Sequence, residues 1–113
     1  MEVLERLTMQ RAERQLADIM ETGERLLDFD SGTTPNGQKV HCVVSTKAFY
    51  VTVPGGETAR VAYADVSRAE ARSFWLSLEL FSGTELLIDF RGSHRGLIAM
   101  VMDLCQPLNL LRF

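Results

Sequence analysis

Trp75-Leu76-Ser77-Leu78-Glu79-Leu80-Phe81-Ser82-Gly83-Thr84-Glu85-Leu86-Leu87-Ile88-Asp89-Phe90 is the stretch on which the fold turns. Leu76, Leu78 and Leu80 alternate with Ser77 and Glu79, and Leu86, Ile88 and Phe90 alternate with Glu85, Leu87 and Asp89. A period of two puts one face of each segment in a core and leaves the other wetter. Ser82-Gly83-Thr84 is a turn signal, so the stretch reads as an antiparallel hairpin. Residues opposite one another share a face, so joining the two leucine-rich faces requires an odd loop. A Ser82–Thr84 loop pairs Leu80 with Leu86, Leu78 with Ile88 and Leu76 with Phe90. A Phe81–Gly83 loop pairs Leu78 with Leu86 and Leu76 with Ile88, and sets Gly83 where a positive φ is favoured. A two-residue Ser82-Gly83 turn would oppose Leu80 to Glu85 and is rejected.

Upstream, a second hairpin has the other parity. Val40, Cys42 and Val44 alternate, as do Phe49, Val51 and Val53. An even link, Ser45-Thr46-Lys47-Ala48, pairs Val44 with Phe49, Cys42 with Val51 and Val40 with Val53. Before it, Glu24 to about Asp30 reads as a strand, and Ser31–Gly37 as a loop dense in turn formers. Pro54-Gly55-Gly56-Glu57 is a turn, followed by a short strand from Arg60 to Tyr63 with Val61 and Tyr63 on one face. Ala64–Ser73 has helix-forming content but stands between strands, and it is read as another short strand.

The two ends are helical. Glu2 to about Thr22 lacks Gly and Pro and stops at Gly23. Its apolar residues fall into two patches at ~100° per residue: Val3, Leu4 and Leu7, then Ala12, Leu16, Ile19 and Met20. Both patches could cover the domain's own core, or one could meet a second chain. From Ser93, a plausible N-cap, to about Cys105 the stripe Leu97, Met100, Val101, Leu104 indicates a helix that ends near Pro107. An apolar tail, Leu108–Phe113, follows. The organisation expected is a helix over 1–22, a strand-rich domain over 23–107 and a tail over 108–113.

Composition narrows the function. One domain of 113 residues with net charge −3 gives no reason to expect nucleic acid or an anionic membrane as a bulk partner. No apolar run approaches the roughly 20 residues of a membrane span, and Glu2, Glu5 and Arg6 argue against a signal peptide. Cys42 and Cys105 sit in apolar surroundings without a pattern, as free buried thiols of a reducing cytoplasm do, although a single disulfide would also fit.

The order helix, about seven antiparallel strands, helix is an α+β architecture in which a bent sheet or partly open barrel is plugged by the last helix. Val43-Val44-Ser45-Thr46-Lys47-Ala48-Phe49-Tyr50-Val51 and Tyr63-Ala64-Asp65-Val66, with the Leu76–Phe90 hairpin and the helix after it, resemble bacterial pleckstrin-homology-like and GRAM-like domains. The resemblance covers Glu24 to Cys105, and the N-terminal helix is additional to it. It implies a non-enzymatic module that binds lipid headgroups, peptides or other domains. The lipid-binding rim of such domains corresponds here to Ser31–Lys39, Pro54–Thr58 and Ser82–Thr84, which offer Lys39 as their basic residue and also contain Glu57. A phosphoinositide site needs several converging cations, so membrane binding is expected to be weak or absent. The alternative fold, with Ala64–Ser73 helical, resembles acidic, dimeric secretion chaperones.

Chemistry is sparse. His41 and His94 lie in different elements, no metal-ligand spacing occurs, and no phosphate-cradling glycine loop is present. Gly92-Ser93-His94-Arg95-Gly96 is one position off a nucleophile elbow. Glu79, Glu85 and Asp89 read as a solvated face. Arg91, His94 and Arg95 bracket the start of the final helix, where free N–H groups attract anions, and are the candidate anion site, with Asp89 as a local partner. The interface candidates are Val3, Leu4, Leu7, Leu16, Ile19 and Met20. The leading expectation is a cytoplasmic, non-catalytic module without cofactor or metal that binds a protein or itself as a homodimer. The alternatives are an anion or headgroup binder, and a small-ligand pocket inside the curved sheet with Tyr63 or His41 as its polar handle.

Overall fold

The computed structural model describes residues 10–91 and 96–110, from residue 106 onward by backbone alone. Helix α1 (10–16) is followed by seven strands: β1 (Leu26–Thr33), β2 (Lys39–Ser45), β3 (Ala48–Thr52), β4 (Thr58–Ala62), β5 (Val66–Arg72), β6 (Trp75–Leu80) and β7 (Glu85–Asp89). Helix α2 (Gly96–Leu110) closes the described chain. All pairings are antiparallel, in the order β4-β3-β2-β1-β7-β6-β5. β4 and β5 are therefore the two edges of an open sheet rather than neighbours in a closed barrel.

The β6–β7 hairpin has the Phe81–Gly83 loop. Leu78 faces Leu86 and Leu76 faces Ile88, the Leu80 amide donates to the Thr84 carbonyl, and Gly83 has φ +93°. Leu76, Leu78 and Ile88 are fully buried, as the period-two reading requires. In the β2–β3 hairpin, Val44 faces Phe49 and Cys42 faces Val51. The expected Val40–Val53 pair is absent from the ladder: β3 ends at Thr52, and the Val53 carbonyl accepts from the Gly56 amide in the next turn. Ala64–Ser73 contains a strand, with Tyr63–Asp65 as a single 3-10 turn before it.

Elsewhere the element bounds differ from the sequence expectation. β1 runs on through Ser31-Gly32-Thr33, because His41, Val40 and Lys39 of β2 supply ladder partners that outweigh the turn-forming composition. β1 touches β7 through the pair Thr33 and Asp89, where the two halves of the sheet meet. The approach there is close enough to demand Gly32: a Cβ would lie 2.4 Å from Ile88 Cγ2 and 3.2 Å from Phe90 Cε1. α1 ends at residue 16 and not near Thr22; the Ile19 and Met20 amides both donate to the Leu16 carbonyl as the helix unwinds. α2 continues past Cys105 and through Pro107 to Leu110, so the first residues of the apolar tail are helical. A proline removes one backbone donor, and near a helix end that loss does not stop the next turn. The proposed cap Ser93 lies outside the described residues.

The main core fills the concave side of the sheet. Phe49, Tyr63, Phe90, Leu76, Leu78, Ile88 and Leu97 are among its largest members, and α2 packs over it chiefly against β5. Cys42 and Cys105 are free thiols buried in this core. Burial pushes both thiols up, Cys42 to about 12 with help from the nearby Asp30 charge and Cys105 to about 11. A second, smaller core lies on the opposite face, where Leu16 of α1 meets Val43, Ala48 and Tyr50.

Candidate functional site

Strand parity determines what the outer face of β1–β4 presents. Val40, Cys42 and Val44 point into the main core, so His41, Val43 and Ser45 point outward. Their cross-strand partners follow. Phe29, Val43, Tyr50 and Arg60 form one row across four strands, and Ser31, His41, Thr52 and Thr58 form the next. The first row is apolar at its β1 end and ionic at its β4 end. The second is polar: Ser31 Oγ is 3.4 Å from His41 Nδ1, and Thr52 Oγ1 is 2.8 Å from Thr58 Oγ1. α1 lies over the first row through Leu16, with Ala12 and Met20 half-buried beside it.

At the ionic end stands Glu24, whose side chain is wholly buried. Its Oε2 accepts from the Ser45 hydroxyl and the Tyr50 hydroxyl, each at 2.5 Å. Its Oε1 accepts from the Glu21 amide at 2.9 Å and from Arg60 Nη2 at 2.8 Å. Arg60 Nε also donates to the Tyr50 hydroxyl at 3.0 Å, and its guanidinium carbon is 5.8 Å from the Tyr50 ring centroid. Lys47 Nζ donates to the Thr22 carbonyl at 3.1 Å. Burial alone would raise the Glu24 carboxyl, but donors from Ser45, Tyr50, Glu21 and Arg60 outweigh it and hold the group at about 2. Burial and the hydrogen bond to Glu24 push the Tyr50 phenol up to about 12. A carboxylate with four donors and so low a pKa is a tie and not a general base at neutral pH. It fastens the connector between α1 and β1 to β2, β3 and β4, and this is why α1 stops early: the chain must turn for Glu24 to reach its partners.

Beside this tie, α1 and β1–β3 enclose a groove of about 360 Å³. Arg11, Ala12, Gln15 and Leu16 line it from the helix, Phe29, His41, Val43 and Thr52 from the sheet, and Pro54 and Gly55 from the following turn.

The residues singled out from the sequence are dispersed. Leu16 is buried against the chain's own sheet and Met20 is half-buried beside it, whereas Ile19 is 41 % exposed. Val3, Leu4 and Leu7 lie outside the described residues. Arg91 is exposed; its amide donates to Asp89 Oδ1 at 2.8 Å and its guanidinium is 3.8 Å from Asp89 Oδ2. His94 and Arg95 lie outside the described residues. Glu79 and Glu85 face each other at the exposed end of β6–β7, as a solvated face allows. His41 is on the outside of the sheet, not in its concavity. Tyr63 does face the interior, but its hydroxyl is 2.8 Å from the Ser45 carbonyl and 2.9 Å from that of Ala48, fastening the β2–β3 turn. Among the described residues no group of three or more His, Cys, Asp or Glu could hold a metal ion, and no helix is long and apolar enough to cross a membrane.

Sequence comparison adds nothing to this picture: no family model matches the chain, and no curated protein does. Solved structures do match. A DUF1696 family protein with a pleckstrin-homology domain from Shewanella loihica PV-4 superposes with a TM-score of 0.60 at 17% identity, over 86% of this chain and 96% of that one. The FERM and C-terminal domain complex of Drosophila Merlin superposes with a TM-score of 0.56 at 11% identity, over 70% of this chain. This chain spans 27% of that Merlin chain, a segment of a larger assembly. The seven-stranded open sheet with its closing helix, and these two superpositions, establish that the chain has the pleckstrin-homology-like fold.

Proposed function

We propose that this protein is a non-catalytic interaction module that pairs a protein strand, from a second copy of itself in the first instance, along the edge of β4. The supporting observation is the contrast between the two open edges. Edge strands invite pairing unless they are guarded, most often by charge. β5 is guarded: Arg68 and Glu70 form an ion pair along it, and Arg72 is exposed. β4 reads Thr58-Ala59-Arg60-Val61-Ala62, and its one charge is drawn across the outer face to Glu24 and Tyr50. Added backbone hydrogen bonds there would give affinity with little side-chain cost, and a two-fold antiparallel pairing of β4 with β4 would make a homodimer. Two buried, unreactive thiols fit work in the reducing cytoplasm. The rim loops carry too little positive charge for a phosphoinositide headgroup, which favours a protein partner over a membrane.

The test is the solution mass of the full-length chain at tens of micromolar, with amide exchange on β4. A mass above the monomer, protected β4 amides, and a shift toward monomer in Ala59→Lys support the proposal. Ala59 is exposed opposite Val51 at the rim of the core, so a long lysine side chain there can carry its charge into water at the strand edge. A monomer with exchanging β4 amides, in the presence and absence of cell extract, refutes it.

A further inference from the structure

We infer that the groove between α1 and the outer face of β1–β3 binds a small organic carboxylate with an apolar body, its charge held by Arg11 beside His41 and Thr52. The site is separate from the β4 edge, and the inference does not depend on pairing there.

The shape comes first. At about 360 Å³ the groove lies within the range of roughly 300–1,000 Å³ typical of small-molecule sites. Its floor is apolar: Phe29 and Val43 are direct cross-strand partners, and Leu16 and Ala12 descend onto them from α1. Its polar groups come from both walls. His41 and Thr52 are cross-strand partners in the next row, and Arg11 and Gln15 approach from the helix.

The charge decides the class of ligand. Asp30 and Cys42 border the groove, but Cys42 belongs to the concave core and Asp30 is its direct partner, so both side chains point through to the other face. The Asp30 charge is felt there, where it helps to raise the Cys42 thiol. No other acidic residue lines the groove. Arg11 is exposed and has no ion-pair partner among the described residues. On a chain of net charge −3, this is a local cationic rim above an apolar floor. A guanidinium recognises a carboxylate by paired, charge-assisted hydrogen bonds, with a hydroxyl and an imidazole as further partners.

The experiment is a titration of the full-length chain with sodium octanoate, followed by backbone amide shifts, with octanol as the uncharged counterpart. Saturable shifts centred on Arg11, Gln15, His41 and Thr52 are expected, with octanol weaker by about tenfold, the cost of losing one charge-assisted contact. Arg11→Glu should weaken octanoate by at least about tenfold while leaving the denaturation midpoint unchanged. Arg14→Glu makes the same change of net charge on the same helix outside the groove, and should leave the affinity within about twofold, because exposed charges at a distance are screened. The inference is overturned if the shifts do not saturate, centre elsewhere, are equal for octanol and octanoate, or respond equally to the two charge reversals.

Discussion

Replacing Glu24 by glutamine isolates the charge of the buried tie while keeping its shape. In the native chain the carboxylate takes four donors, two on each oxygen. The amide of glutamine presents an NH2 group where two of those donors point, and leaves Arg60, whose side chain is only 20% exposed, with the more distant and exposed Glu21 carboxylate at 3.8 Å as its counter-ion. The magnitude follows from linkage. A carboxyl held at about 2 and not at 4.5 contributes about 3 kcal/mol at neutral pH, which agrees with the roughly 3–5 kcal/mol lost when one partner of a buried pair is removed. The sign is that of a depressed carboxylate: the contribution is complete above pH 4.5 and fades as the pH falls toward 2. Urea denaturation of the native chain and Glu24→Gln at pH 7, 5, 4 and 3 measures the difference directly, because the other carboxylates titrate alike in both. The gap should be largest at pH 7 and pH 5, then narrow at pH 4 and pH 3. A variant within about 0.5 kcal/mol of the native chain at pH 7, the scatter of ordinary surface substitutions, would refute the reasoning. So would a gap that does not change with pH.

Further expectations follow from the core and from the rim. Leu78→Ala should cost about 2–5 kcal/mol in chemical denaturation, because Leu78 is fully buried opposite Leu86. Gly32→Ala should destabilise by about 1–3 kcal/mol through overpacking against Ile88 and Phe90, and proton spectra should show shifted methyl and ring resonances for those two residues. Vesicles containing phosphoinositides should bind weakly or not at all in flotation at physiological salt; micromolar binding abolished by Lys39→Ala would reverse that expectation.

Much of the fold is written in local pattern. The hairpins of β2–β3 and β6–β7 were readable because apolar alternation on both strands admits only one parity of loop, and Gly83 then favours the three-residue form that the structure has. The strand at Val66–Arg72 was readable only weakly, since Ala69, Glu70 and Ala71 suit a helix; pairing with β6 decides for the strand. The groove was half legible. Ala12 and Leu16 were visible as part of an apolar patch, and the pairing of Cys42 with Val51 sets His41 opposite Thr52, but nothing local says that the helix lies over that face.

By itself the sequence determined the alternation of strands and turns, the parity of two hairpins, the two terminal helices and the weakly charged rim. These depend on residues a few positions apart, whose spacing is set by backbone geometry. Only the tertiary structure decided where α1 stops, which face it covers, and which edge of the sheet is left unguarded. Glu24 meets Ser45, Tyr50 and Arg60 across separations of 21, 26 and 36 residues. No propensity or period reaches that far, since a buried carboxylate is stable only once three strands have brought its donors together.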